Sequence, residues 1–113
     1  MSGRSAAMFG KHLRAVRERQ GVSLRSLAHL SKISLGYMHQ IETGKASIPT
    51  PARIAEFAKW LRVDGDELAA AAGKVPDDVI RLIVERPELC VVIRQLGAMS
   101  DRKIAKILEQ VTQ

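Results

Sequence analysis

Cys90 is the only cysteine in the 113 residues, and a lone thiol can close no intrachain disulfide and build no cysteine-based zinc site. It agrees with a reducing cytoplasm. Aromatic residues are nearly as scarce: Phe9, Tyr37, Phe57 and Trp60 make up 4% of the chain. That is too few ring faces for a stacking platform that reads single-stranded nucleic acid. Alternating β-type runs are missing, which leaves an all-helical chain as the expected fold. No apolar run approaches the ~20 residues of a membrane helix. The opening "MSGRSAAMFGKHLRAVRERQ" carries charges where a secretory leader needs an uninterrupted apolar core. No membrane partner is expected, and the expected location is the cytoplasm.

Carboxylates are scarce in one region only. Residues 1–62 hold eleven Lys/Arg against Glu18, Glu42 and Glu56, whereas residues 63–113 hold seven against nine. The formal charge of +6 and the pI near 10.0 therefore hide a strongly basic first half and a mildly acidic second. A basic segment of this kind suits a polyanion, so a nucleic-acid partner is expected for the first half.

Apolar spacing and capping residues divide the chain into eight helices. Phe9, Leu13 and Val16 recur at helical spacing over 7–20, with Gly21 as the stop. Ser23 caps a helix over 24–31, and Ser34 caps one over 35–43 that ends at Gly44. Thr50 and Pro51 open a fourth helix with the stripe Ile54, Phe57, Ala58 and Leu61. Asp64 and Glu67 form a capping box for a short fifth. Pro76, Pro87 and Ser100 open the last three. Residues 1–73 read as one domain and 74–113 as a helical extension.

Two short helices joined by a tight turn, "SLRSLAHLSKISLGYMHQIETGK", have the spacing of a helix-turn-helix. Leu27, Ala28, Ile33, Met38 and Ile41 stand where the pair must touch. Together, "LRAVRERQGVSLRSLAHLSKISLGYMHQIETGK" and "PTPARIAEFAKWLRVDGDEL" resemble the lambda-repressor-like (XRE, or Cro-type) DNA-binding domain over residues 9–72.

The resemblance implies a five-helix domain that puts residues 35–43 into the major groove. It assigns Ser34, Leu35, Gly36, His39 and Gln40 to base edges. Ser23, Arg25, Lys32, Tyr37, Lys45 and Ser47 are assigned to the sugar-phosphate backbone, and Arg17 with Glu42 to a structural brace. The side chains suit those roles: Gln40 can pair with adenine N6 and N7, Leu35 can lie on a thymine methyl, and Ser34 can reach a base or a phosphate. Gly36, unfavourable inside a helix, removes bulk where the helix must lie close to DNA. Three features depart from the family pattern: Lys32 stands where the turn normally has glycine, Ser31 replaces a small apolar residue, and the loop "ASIPTP" is one residue longer.

Catalysis is not expected. Gly44-Lys45 lacks the phosphate-loop glycine five positions earlier, where His39 stands, and no Gly-x-Ser-x-Gly element occurs. His12, His29 and His39 have no metal-ligand spacing. Cys90 lies in the apolar run "LCVVI", the setting of a packing thiol. No metal or cofactor is expected.

The extension carries more apolar surface than short helices of one chain can cover. Leu89, Val92, Ile93, Leu96, Ile104, Ile107, Leu108 and Val111 are expected to form a homodimer interface. The overall expectation is a nucleoid-associated transcriptional regulator, a repressor that binds double-stranded DNA at an inverted-repeat operator as a homodimer. An antitoxin remains open as the alternative, with its C-terminal helices gripping a toxin or another protein antagonist.

Overall fold

Five side chains decide where the first five helices begin. In a computed structural model, which describes residues 5–113, α1 (Ala6–Arg19), α2 (Leu24–Leu30), α3 (Leu35–Thr43), α4 (Pro51–Leu61) and α5 (Gly65–Ala71) are each preceded by an oxygen-bearing cap. Ser5, Ser23, Ser34 and Thr50 accept from the backbone N–H three residues on, at 3.0 to 3.3 Å. Asp64 accepts from both Asp66 and Glu67. Each bond satisfies a donor that the helix itself leaves unpaired. Ser5 was not anticipated as a cap, and it moves the start of α1 forward to Ala6.

The same five helices end alike. The residue after each last turn is left-handed, at Gly21, Lys32, Gly44, Arg62 and Gly73. In each case the next backbone N–H donates to the carbonyl five residues back, as in Ile33 to Ala28 O at 3.0 Å and Lys45 to Gln40 O at 2.9 Å. This closure needs positive φ, which glycine adopts freely and other residues adopt at a cost of roughly 1–2 kcal/mol.

Between these ends, α1 packs on α3 and α5, α2 on α3 and α4, and α4 on α5. The shared core is Phe9, Leu13, Val16, Leu27, Ala28, Met38, Ile41, Ile54, Phe57, Ala58, Leu61, Leu68, Ala69 and Ala72. Gly10 permits the closest crossing: a Cβ there would lie 2.4 and 2.5 Å from the Glu42 and Ile41 carbonyl oxygens, an impossible overlap.

Beside Gly10 runs the one buried ion pair among the described residues. Arg17 Nε and Nη2 donate to the two Glu42 carboxylate oxygens at 2.6 and 2.9 Å, and Nη1 donates to Val22 O at 2.9 Å. The guanidinium is thereby satisfied on three sides. The hydrogen bond to Glu42 raises its pKa above the ordinary value, against the opposing effect of burial.

The chain divides into two units, the first ending at Asp77 and the second beginning at Asp78. The second holds α6 (Asp77–Glu85, entered from the end of the first unit), α7 (Leu89–Gly97) and α8 (Asp101–Val111). Pro87 stands in a turn before α7 rather than in its first turn, and Glu88 makes no side-chain cap bond. Ser100 does cap α8, accepting from Lys103 N. No residue of these three helices is buried. The division also redistributes charge. Asp64, Asp66, Glu67 and Asp77 belong to the first unit with Lys74, so the second carries six Lys/Arg against five carboxylates and is nearly neutral rather than acidic. Every regular element among the described residues is a helix, as the composition implies.

Two stability changes follow. Ser31 is fully buried and its hydroxyl has no hydrogen-bond partner among the described residues; Ser31→Ala should raise the unfolding free energy in urea by about 1 kcal/mol by removing that cost. Glu42→Ala strands a guanidinium that is 10% exposed and should lower stability by about 3 kcal/mol. Adding Arg17→Met should restore part of that loss. An equal loss in the double variant would show that packing, not the stranded charge, was responsible.

Candidate nucleic-acid interface

The direction α3 faces follows from what its inner side is tied to. Met38, Ile41 and Glu42 are buried, while Ser34, Leu35, Gly36, His39, Gln40 and Thr43 are exposed. Three or four residues separate members of each set, as helical geometry requires. Leu35 is 38% exposed, an apolar side chain on an otherwise polar face. Gly36 would meet nothing within 4 Å if it carried a Cβ, so no neighbour in the chain requires a glycine there. The His39 and Gln40 side chains make no hydrogen bond among the described residues. Ser34 Oγ, occupied as an acceptor by the Tyr37 N–H at 3.0 Å, keeps its own proton free to donate.

The six residues assigned to the phosphate backbone fall at helix ends and in turns. Ser23 caps α2 and its hydroxyl also donates to Ser26 Oγ at 2.9 Å, so what it can offer a phosphate is the start of the helix rather than a free proton. Arg25 is exposed in the first turn of α2, Lys32 in the α2–α3 turn, and Lys45 and Ser47 just beyond α3. Tyr37 is half-buried against the core. Neither α2 nor α3 has an acidic residue in its first turn. Both helix starts therefore keep the partial positive charge that favours an anion. By contrast, α5 begins with Asp66 and Glu67, which leaves its start unsuited to phosphate.

Two positioning contacts escaped the sequence. Arg53 Nη1, from α4, donates to Ser31 O at 3.0 Å and to Glu56 at 3.2 Å. It thereby fastens the α2–α3 turn from below. Gln20 Nε2 donates to Leu61 O at 2.9 Å and ties the end of α1 to the end of α4. Both bridge distant segments through one side chain, and no local spacing signals such a contact.

Two concave surfaces lie elsewhere. An open depression of about 590 Å³ runs along α4, between Thr50 and Lys59, and another of about 340 Å³ lies between α1 and α5, floored by Val16, Val63 and Leu68. Neither is lined by a residue of α3. Among the described residues, no three His, Cys, Asp or Glu side chains gather as a metal site would require, and no helix is long and apolar enough to cross a membrane.

Comparison with known proteins matches this part of the chain. The family model of the helix-turn-helix domain covers residues 8–71. The HTH-type transcriptional repressor RghR of Bacillus subtilis (strain 168) is 35% identical over 69 residues, which are 61% of this chain and 51% of RghR. This chain thus aligns with about half the length of that relative. The restriction-modification controller protein C.AhdI from Aeromonas hydrophila is 30% identical, with a TM-score of 0.51 over 56% of this chain and 94% of its own. The clp gene regulator ClgR from C. glutamicum is 28% identical, with a TM-score of 0.53 over 59% and 86%. The match covers α2, the left-handed turn at Lys32 and α3, together with the three helices that hold them: the chain belongs to the helix-turn-helix domain family, in its lambda-repressor-like (XRE) branch.

Proposed function

We propose that this chain is a sequence-specific DNA-binding transcriptional repressor. Its recognition helix is α3, with Ser34, Leu35, Gly36, His39 and Gln40 toward the bases and Ser23, Arg25, Lys32, Tyr37, Lys45 and Ser47 along the phosphates. The observation that carries this reading is Gly36. It lies in the first turn of α3 on its exposed face, has a low helix preference, and serves no packing contact among the described residues. A close approach by DNA would account for the missing side chain. The cations at Lys32 and Lys45, on either side of α3, suit a polyanion.

The first unit is then the DNA-binding domain and the second a dimerisation element. Val92, Ile93, Leu108 and Val111 are exposed by half or more of their surface or nearly so, whereas Leu89, Leu96, Ile104 and Ile107 are partly covered by the chain itself. A second copy is the occupant that an inverted-repeat operator also requires, because two-fold symmetry sets two recognition helices about 34 Å apart. The same exposed faces favour, as a second reading, a protein antagonist or a toxin in place of the second copy.

Selection of duplexes from a random pool by the full chain is the deciding experiment. An inverted repeat with half-sites one helical turn apart is expected. An asymmetric single site would remove the dimer, and an unenriched pool would remove DNA recognition altogether. A chain ending at Asp77 should keep its first five helices by circular dichroism, sediment as a monomer, and bind the repeat far more weakly. If the full chain also sediments as a monomer yet enriches DNA, the partner-protein reading takes over.

Lys32 supplies a test in which stability and binding move in opposite directions. At φ 57°, Lys32→Gly should raise the unfolding free energy by about 1 kcal/mol through relief of the left-handed strain. The same change should weaken specific and non-specific DNA alike and lower the salt slope by about one unit. An unchanged slope would mean that Lys32 faces only solvent.

A further inference from the structure

No arginine or lysine stands anywhere in α3. In the major groove, a bidentate Arg or Lys takes guanine O6 and N7, the amide of Asn or Gln takes adenine N6 and N7, and apolar groups take the thymine methyl. The exposed face of α3 thus holds Gln40, suited to adenine, and Leu35, suited to thymine, and lacks the Arg or Lys that most commonly grips guanine. A neutral His39 has one ring N–H and makes at most one such bond.

Gly36 narrows the choice further. An alanine there would favour the helix and touch nothing in the chain. The missing side chain leaves a notch on the exposed face, between Leu35 before it and His39 and Gln40 one turn later. The thymine C5-methyl is the one apolar group that base pairs project into the major groove. We infer that the notch at Gly36, walled by Leu35, is a thymine-methyl site, and that Gln40 reads an adenine within two base pairs of it. The centre of each operator half-site is then built of A·T pairs. This inference rests on α3 being the groove helix, and it assigns the base identity that the groove reading leaves open.

The test exchanges methyl groups between DNA and protein, using the full chain and the duplex that it selects. Each thymine is replaced in turn by deoxyuridine, which removes only the methyl. One thymine per half-site should then cost about four-fold in affinity, the worth of one buried methyl, and Leu35→Ala should abolish that difference. Gly36→Ala should fold at least as stably as the parent in a thermal melt. On the thymine duplex it should bind tenfold or more weakly, because its methyl fills the notch. On the duplex carrying deoxyuridine at the sensitive position it should recover to within two-fold of the parent protein. Selected half-sites centred on G·C pairs, deoxyuridine without effect at every position, or a Gly36→Ala loss equal on both duplexes would each overturn the thymine assignment while leaving DNA recognition intact. A pool in which nothing is enriched would overturn DNA recognition first and the thymine site with it.

Discussion

The orientation of α3 depends on one buried ion pair and the glycine beside it. Nine residues make a helix too short to hold itself in water, so its stability and its direction come from what it packs against. Arg17 grips both carboxylate oxygens of Glu42, and Gly10 lets the α1 backbone meet the carbonyls of Ile41 and Glu42. Carrying two charges out of water costs several kcal/mol per ion, and good geometry is needed to offset it. The third bond, from Arg17 to Val22 O, meets that need and ties the α1–α2 connection into the same cluster. Glu42 near the end of a helix would otherwise be opposed by the helix dipole; the guanidinium cancels that as well. With Ile41 and Glu42 fixed inward, residues 35, 36, 39 and 40 have one direction left to face. The exposed face of α3 is therefore presented by a braced element.

The helix ends add a second constraint. Five helices close with the same left-handed residue, three times on glycine and twice on a cation. Glycine would relieve the strain at Lys32 and Arg62, so each cation is held against a local preference. At Lys32 a phosphate partner would account for it, since the residue precedes the start of α3 by two positions. Nothing in the structure explains why a cation stands at Arg62.

Most of this architecture was legible because its causes are local. Ser23, Ser34, Thr50 and Asp64 announce helix starts through bonds that span two or three residues, and Gly21 and Gly44 announce ends. The apolar stripe of α4 needs only its own period to declare which side is buried. What escaped was long-range. Gly10 reads as an ordinary weak position in α1 until α3 is laid across it. Arg53 reads as a surface cation until its guanidinium is found on Ser31 O, and Ser5 reads as part of an uncapped N-terminus. Arg62 stayed hidden for a different reason: a non-glycine residue carries no sequence signal for the αL conformation it adopts. The outward set on α3 was readable by resemblance, whereas the openness around Gly36 is a fact of three-dimensional neighbours.

The two units pose opposite physical problems, and the contrast bears on control. The first has a closed core with fourteen buried apolar residues and folds around its own contacts. The second has three helices and no buried residue, so its apolar faces gain little from the chain alone. If a second copy covers those faces, ordering of the second unit, association and tight operator binding become linked steps of a single equilibrium, since each helps to populate the next. Protein concentration would then set occupancy of the operator directly. A protein that competes for α7 and α8 would act on the same equilibrium from outside, without touching α3. Regulation by association needs only the exposed apolar surface that the second unit already presents.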